Sequence, residues 1–269
     1  TYSRTWEARQ IWGSILNSSR AWGIMCRDYM DDVKASKELI YRHFAWLTAL
    51  RYQMRESKAW ESTHKIYNKE YMAYYSVPEK ESTLELELAK YIPAEEVLQI
   101  MATKNKAVQL LGLQSKTIKE LYDQGILDNF RFLEMHKLIT TLYDHQGKSE
   151  RIKNFPYPRQ FATVSSMFVK LFCIMLPFSM LKDFDKLNEN IGGIMQGQMV
   201  WLVIPFSMLI SWVYTSLEQV GESTENPFEG SANDVPISQM SRTIEIDMRE
   251  MLGETDLPPA LQPQNNIIL

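Results

Sequence analysis

Two long apolar segments constrain what this chain of 269 residues can fold into. Residues 160–181 contain one charged side chain, Lys170, and residues 190–217 contain none. About 20 apolar residues let a helix cross a hydrocarbon core of about 30 Å. Residues 182–189 predict a short loop, so we expect a transmembrane hairpin with spans at about 160–181 and 192–217. The alternative is a pair of buried helices in a large soluble bundle.

The remainder of the chain reads as helical. Apolar residues over 2–56 recur at the three-and-four spacing of one helix face, which predicts one or two long helices. Further helices are predicted from residue 93, over 130–145 and around 244–251, and Gly125 predicts a helix end. Residues 57–92 are less regular, and no pattern of paired strands occurs. The predicted fold class is all-α.

The hairpin divides the chain into three predicted parts. Residues 1–159 form a cytosolic helical region, and residues 160–217 form the membrane hairpin. Residues 218–269 form a cytosolic acidic segment, a helix and an extended C-terminal tail that docks on another surface. Arg151, Lys153 and Arg159 flank the first span, whereas the charges over 182–189 nearly balance. The positive-inside rule then places the bulk of the chain in the cytoplasm.

Composition and motifs argue against several classes of function. The net charge of −4 is not that of a nucleic-acid-binding protein. Cys26 and Cys173 form no disulfide or metal motif, and the four histidines lack metal-ligand spacing, which predicts that they lie on polar helix faces. Phosphate loops, dinucleotide fingerprints and nucleophile elbows are absent from the sequence. We expect no enzyme, no cofactor and no nucleic-acid partner. Lys170 is expected to snorkel or to face a bundle, the alternative being a role in a pore or at lipid headgroups.

Four motifs in chain order resemble those of the bestrophin family. Residues 2–20, YSRTWEARQIWGSILNSSR, match the family signature at Arg4, Trp6, Glu7, Ala8, Arg9, Trp12, Gly13, Ser19 and Arg20. The second motif belongs to the first span and comprises a Pro-x-Pro entry at residues 156–158 and LFCIMLPF at 171–178. ENPFEGSANDVP at 225–236 matches the family segment after the last span, and IEIDM at 244–248 matches the helix beyond it. The segment after the last span contributes Asn226, Pro227, Phe228 and Asp234.

The resemblance implies a passive ion channel. Family members are homopentamers around one axial pore, so the expected partners are four further copies, the lipid membrane and small ions, chloride above all. The expected location is the inner membrane of a bacterium, which the chain crosses more than once. Alternatives are a cation-selective channel of the same family and a non-conducting membrane scaffold. A soluble helical interaction protein is a third.

The resemblance also implies where the gates of the channel lie. This sequence departs from the family pattern at two of these positions. The family's hydrophobic neck lies upstream of the Arg4 signature, which implies a membrane helix before residue 1. Animal members bind calcium through a dense acidic run, whereas residues 229–234 read EGSAND. Calcium takes six to eight oxygen ligands. Asn226 and Asp234 are therefore the only calcium candidates, and we expect no calcium gating.

A second family constriction, the cytosolic aperture, falls near Phe132 when the chain is counted back from residue 156. The alternative is that Phe132 packs between helices of one subunit. Phe130, Leu133 and Met135 compete for the pore-facing position, because successive helix positions differ by about 100°.

Overall fold

The computed structural model describes residues 2–63, 65–189, 192–193 and 196–269, with the backbone alone for Tyr67. Throughout these residues the regular structure is helical, apart from one isolated bridge between Gln264 and Ile267, so the all-α prediction is confirmed. The chain divides into two compact units. We call Pro156–Glu225 the hairpin unit, and Tyr2–Phe155 together with Asn226–Leu269 the bundle unit.

The helices are numbered in chain order. Those of the bundle unit are α1 (Tyr2–Asp28), α2 (Val33–Arg55), α3 (Ile66–Met72), α4 (Pro78–Glu81), α5 (Leu84–Leu88), α6 (Ala94–Met101), α7 (Lys106–Asp123), α8 (Asn129–Asn154) and α11 (Ile237–Met251). Those of the hairpin unit are α9 (Arg159–Lys186) and α10 (Val203–Ser223), with 3₁₀ turns at Leu187–Glu189 and Met199–Leu202.

Short polar side chains begin the long helices of the bundle unit. The carboxylate of Asp32 accepts hydrogen bonds from two backbone N–H groups at the start of α2, and Asp128 does the same at α8. The Asn105 side chain caps α7. These bonds satisfy N–H groups that have no partner within the helix. Gly125 follows α7 at a φ of 76°, which confirms the predicted helix end.

The long helices pack around α2, whose buried residues face α1, α7, α8 and α11. Helices α1 and α8 run antiparallel. Arg4 at the start of α1 donates to the carbonyl of Phe155 after α8, whereas Arg131 near the start of α8 donates to the carbonyl of Tyr29 after α1. The largest fully buried side chains include Trp12, Trp22, Trp46, Phe44 and Phe228.

The prediction that the histidines lie on polar faces is wrong for His43. Its side chain is fully buried, and its ring centre lies 4.9 Å from that of Trp46. Burial lowers the pKa of His43 to about 3, so the ring is neutral at physiological pH. His136 is exposed, His145 is half-buried and His64 lies outside the described residues.

The C-terminal tail is extended and docks on its own chain. The side chain of Gln264 accepts a hydrogen bond from the backbone N–H of Ser76 at 2.7 Å. The carbonyl of Leu269 accepts one from the N–H of Gln239 in α11 at 2.8 Å, and the Leu269 side chain is buried. The tail therefore belongs to the bundle unit.

In the hairpin unit α9 and α10 run antiparallel. Phe172 contacts Tyr214 with ring centres 4.8 Å apart, and Phe184 contacts Phe206 at 5.3 Å. The predicted loop over 182–189 is wrong, because α9 continues to Lys186 and a 3₁₀ turn follows it. Alternating acids and lysines are compatible with a helix that extends past its apolar part.

The second apolar helix differs from the predicted span at both ends. It runs over Met199–Ser223 including the 3₁₀ turn, instead of 192–217, and residues 190, 191, 194 and 195 lie outside the described part. Pro205 falls in the first turn of α10, where its missing N–H costs no intrahelical bond. Pro177 lies inside α9.

Candidate functional site

The apolar helices of the hairpin unit expose their hydrophobic side chains. In the most apolar 18-residue window, only 6% of residues are buried in the first helix and 11% in the second. The exposed residues include Phe161, Val164, Met167, Phe168, Leu171, Ile174, Phe178, Ile204, Met208, Leu209 and Trp212. Core helices of soluble proteins bury such residues, and monomers rarely expose apolar patches of this extent. The buried-helix alternative therefore fails, and the arrangement matches helices that face lipid or other subunits.

Lys170 is the one charged side chain in the apolar part of α9. It is exposed on the helix surface, as are Arg159 at the start and Lys186 at the end of α9. An exposed lysine within a span reaches the interface by snorkelling or faces a neighbouring chain. Both predicted roles of Lys170 stay open.

The signature residues at the start of α1 attach it to the end of α8. Arg4 donates hydrogen bonds to the carbonyls of Ile152 and Phe155, two acceptors that the helix end leaves without intrahelical partners. Glu7 forms an ion pair with Arg151 one turn earlier in α8. These contacts explain why an arginine and a glutamate three residues apart belong to the signature.

The other signature residues divide between core and surface. Trp12 is fully buried, and its ring centre lies 6.3 Å from that of Phe228. The first and third motifs therefore meet in one contact. Trp6 is exposed, and Arg9 also faces outward. Gly13 has open space where a Cβ would lie, so its role is not set by a close contact within the chain.

The loop after α10 carries the buried acid Asp234. One carboxylate oxygen accepts hydrogen bonds from Arg55 at 2.8 Å and from the N–H of Gly230 at 2.6 Å. The other accepts from the hydroxyl of Ser231 at 2.6 Å. Arg55 also lies 3.6 Å from Glu79. Burial raises the pKa of Asp234, while Arg55 acts in the opposite direction. Asp234 is thus a structural anchor of this loop.

A second buried acid, Glu229, lies in the same loop. Its two oxygens accept hydrogen bonds from the N–H of Ser62 at 2.9 Å and from the Ser62 hydroxyl at 2.8 Å. Next to them Glu61 forms a buried ion pair with Lys153 of α8. Burial, reinforced by the charge of Asp234, raises the pKa of Glu229 to about 7. The loop is therefore fastened to the segment after α2 and to α8.

These contacts correct two parts of the sequence interpretation. Residues 218–269 begin with a predicted acidic segment, whose composition alone suggests solvated charges, yet Glu229, Asp234 and Glu245 are buried. Lys153 was counted among the charges that flank the membrane, but it is buried against Glu61. Charge runs do not reveal which acids have buried partners far away in sequence. Glu61 and Lys153 carried no signal, because their pairing joins segments separated by 92 positions.

The calcium candidates do not form a calcium site in the described residues. Both oxygens of Asp234 already accept hydrogen bonds, and the positive charge of Arg55 lies 2.8 Å from one of them. Asn226 is buried, but within the described part of the chain no three His, Cys, Asp or Glu side chains group to hold a metal. Calcium requires several free oxygen ligands. The residues therefore do not fit this ion.

Phe132 is half-buried in α8 and packs on its own chain. Its ring stacks on Tyr122 of α7 with ring centres 4.8 Å apart. Of its competitors, Met135 is fully buried, which removes it as a pore-facing residue of this conformation. Phe130 is 81% exposed and Leu133 is 52% exposed. The aperture assignment therefore has Phe132, Phe130 and Leu133 as its remaining candidates.

The exposed apolar hairpin, with a separate helical unit, defines an all-α integral membrane protein. A profile of the family described as Bacterial/Fungal Bestrophin protein matches residues 1–250. The chain belongs to the bestrophin family. This membership supports the expectation of a channel rather than an enzyme.

Curated relatives and solved structures resemble nearly the whole chain. Voltage-dependent anion channel-forming protein YneE of Escherichia coli K12 is 24% identical over 265 residues, covering 98% of this chain and 74% of the relative. The protein of that description from Ralstonia nicotianae, RSc3414, is 24% identical over 260 residues, covering 96% and 72%. A bacterial bestrophin homolog from Klebsiella pneumoniae has a TM-score of 0.76 at 24% identity, covering 96% of this chain and 80% of that chain. This likeness confirms the fold.

Proposed function

We propose that the chain is a subunit of an anion channel that conducts chloride and other small anions passively. The observation that carries the proposal is the family match over residues 1–250, joined with relatives along 96–98% of the chain that are named anion channel-forming. The outward-facing apolar hairpin supports it, because a channel subunit presents such surfaces to lipid and to its neighbours.

The contacts of α1 suggest how the cytosolic part acts on the pore. In the family the neck precedes the Arg4 signature, so α1 is the segment that follows the gate. Here α1 is attached to α8 through Arg4 and Glu7 and to the loop after α10 through Trp12 and Phe228. We infer that a conformational change of this loop is transmitted through α1 to the neck.

Selectivity is tested by recording currents from purified protein in planar bilayers with unequal KCl on the two sides. An anion channel reverses at the Nernst potential of chloride, whereas a cation-selective channel reverses at the opposite sign. Selectivity depends on pore-lining dipoles, charges and constrictions. A protein that inserts and folds but never conducts would favour the membrane scaffold instead.

We propose a homopentamer in the inner membrane of a bacterium, with the bundle unit in the cytoplasm. A head-to-tail interface between identical subunits closes into a ring when its rotation closes, and the family resemblance implies five subunits. Multi-angle light scattering in mild detergent tests the assembly, and a monomer or dimer mass would contradict it. Reporter fusions after residue 269 test the orientation. Protein that extracts without detergent would instead indicate the soluble interaction protein.

We propose no cofactor for this channel. Arg55 occupies the position beside Asp234 that a cation would take, which argues against calcium gating of the animal kind. At the cytosolic exit we propose an aperture formed by α8, with Phe132 as the first candidate. Five symmetry-related rings at this position would form a narrow apolar collar whose ring edges carry partial positive charge.

A further inference from the structure

A cavity of about 230 Å³ lies in the bundle unit, separate from the loop after α10. Helix α2 forms one wall, α4 and α5 a second, and α11 a third, with the tail at its edge. Apolar surface comes from Phe44, Leu47, Pro78 and Leu261. The rest of the lining consists of hydroxyl groups and charged side chains. No part of the proposed channel mechanism uses this space.

Two carboxylates of the cavity wall, the buried Glu245 and the partly buried Glu87, already accept hydrogen bonds on both oxygens. One oxygen of Glu245 accepts two hydrogen bonds from Arg249, at 2.8 and 3.1 Å, and the other accepts one from Tyr91 at 3.0 Å. Both oxygens of Glu87 accept from Lys90 at 2.7 Å. These acids therefore have little capacity left to attract a cation into the cavity.

The arginines of the wall, in contrast, retain unused donors. Arg242 lies 3.5 Å from Glu245 as an ion pair but donates no hydrogen bond to any described residue. Arg51 donates one to Glu79 at 2.6 Å, while its buried Nε–H has no partner in the described part of the chain. A guanidinium carries five N–H donors in a planar fork. The cavity therefore offers donors without matching acceptors.

We propose that this cavity binds a small organic anion, a short carboxylate with an apolar body. The carboxylate would meet Arg242 and Arg51, since guanidinium and carboxylate pair in a bidentate geometry. The carbon body would lie against Phe44, Leu47 and Pro78. Inorganic phosphate lacks such a body and leaves those walls bare. Glu81, the remaining acid of the wall, is exposed and keeps its hydration.

Binding at this position joins elements distant in sequence. The ligand would bridge α2 and α11, and Leu261 would place the tail over it. A ligand that binds only the folded state stabilises it in proportion to RT ln(1 + [L]/Kd). The site therefore reports on anion concentration through the stability of the bundle unit.

The test uses the full chain in detergent, with butyrate as the probe and butyramide as its uncharged match. Isothermal titration and thermal unfolding are measured at fixed ionic strength. We expect saturable butyrate binding, a rise in Tm and neither effect with butyramide. Arg242→Gln should weaken binding about tenfold, because it removes charge-assisted hydrogen bonds from a desolvated site. Arg242→Lys should retain part of the affinity.

The control is Arg27→Gln, which removes an exposed arginine of α1 that is not in the cavity wall and should leave butyrate binding unchanged. Three outcomes would overturn the proposal. One is the absence of saturable butyrate binding by the wild-type protein. Another is equal affinity in wild type and Arg242→Gln when the variant unfolds at the wild-type Tm. The third is phosphate binding as tight as that of butyrate, which would remove the apolar body from the ligand description.

Discussion

The hairpin unit and the bundle unit use similar residues in opposite ways. In the hairpin unit the large apolar side chains of α9 and α10 face outward, and no described ionisable side chain is buried. In the bundle unit five large aromatic side chains are fully or almost fully buried, namely Trp12, Trp22, Trp46, Phe44 and Phe228. Buried with them are Arg55, Glu61, Glu79, Lys153, Glu229 and Asp234. One unit is thus built for an apolar surrounding, and the other for water outside and a partly ionic interior.

The difference follows from what each surrounding can solvate. Lipid cannot hydrate a charge, so the hairpin unit keeps its charges other than Lys170 towards its helix ends and satisfies its backbone within helices. Water hydrates the surface of the bundle unit, and that unit can bury ions only where a partner replaces the lost hydration. The pairs Arg55–Asp234 and Lys153–Glu61 provide this replacement.

A matched pair of phenylalanine truncations tests this difference directly. Phe228→Ala in the bundle unit should lower the free energy of unfolding by about 3–5 kcal/mol, because it removes a fully buried ring packed on Trp12. Phe178→Ala in α9 should cost less than about 1 kcal/mol in detergent, because Phe178 is 70% exposed. Denaturant unfolding followed by circular dichroism measures both. Equal losses would show that α9 is packed against protein as tightly as the core.

The buried acid Glu229 predicts a pH dependence that the hairpin unit lacks. Its folded pKa of about 7 lies above its ordinary value of 4.5, so the folded state keeps a proton that the unfolded chain has lost. The contribution of Glu229 to stability should therefore fall as the pH rises from about 4.5 to about 7. Glu229→Gln should remove this slope and leave the variant more stable than wild type above pH 7. Thermal unfolding between pH 4 and 8 measures it.

The control for that series is Glu120→Gln, an exposed acid of α7, which should leave the wild-type slope intact. If the slope survives in Glu229→Gln, another group is responsible. His43 acts in the opposite direction over an overlapping pH range, so the contribution of Glu229 is read from the difference in stability between wild type and Glu229→Gln. The His43 pKa of about 3 lies below the ordinary 6.5, so stability is lost as the pH falls below 6.5.

Periodicity and hydropathy predicted the parts of this fold that depend on local pattern. The apolar faces of α1 and α2, the hairpin and the Gly125 helix end are all local features, and each was confirmed. The buried position of His43 and the pair Lys153–Glu61 were not predictable, because each depends on a partner element far away in the chain. The loop over 182–189 failed for another reason. Charged residues end a membrane span without ending its helix.

In the candidate site, too, the sequence predicted local features but not contacts between distant segments. The motifs identified Trp12 and Phe228 separately, but only the structure places their rings together. In the sequence, Glu229 is only one of two acids left where animal members have a dense acidic run. In the structure, its hydrogen bonds to Ser62 make it an anchor of the loop. A sequence motif identifies a position with a structural or functional role. The residue that this position contacts depends on how several helices pack.

Truncation of Phe132 separates a pore residue from a packing residue. Phe132→Ala should raise single-channel conductance or alter relative anion permeability, because it widens the proposed collar. It should cost about 1–2 kcal/mol of stability, since a half-buried ring stacked on Tyr122 is lost. Leu133→Ala, on the exposed side of the same turn, is the matched variant. Bilayer recording and thermal unfolding are made on both.

Two results would move the aperture elsewhere. Unchanged permeation in Phe132→Ala together with a loss above about 3 kcal/mol would place Phe132 in the core. A permeability change in Leu133→Ala alone would assign the collar to Leu133. The second result would keep the aperture on α8. Wild-type conduction in both variants would instead exclude Phe132 and Leu133 from any aperture.

Calcium should have the smallest effect of all. Asp234 accepts hydrogen bonds on both oxygens, and Arg55 supplies the positive charge that a bound cation would bring. Calcium would have to displace that arginine, and few other carboxylates are present to compensate. Micromolar calcium should therefore change neither the Tm nor the current of the wild-type channel.

Asp234→Ala should lower stability by about 3–5 kcal/mol, because it leaves Arg55 buried beside Glu79 alone. This loss should be equal with calcium or with a chelator present. A Tm rise that saturates at micromolar calcium and vanishes in Asp234→Ala would show that this loop binds the ion after all.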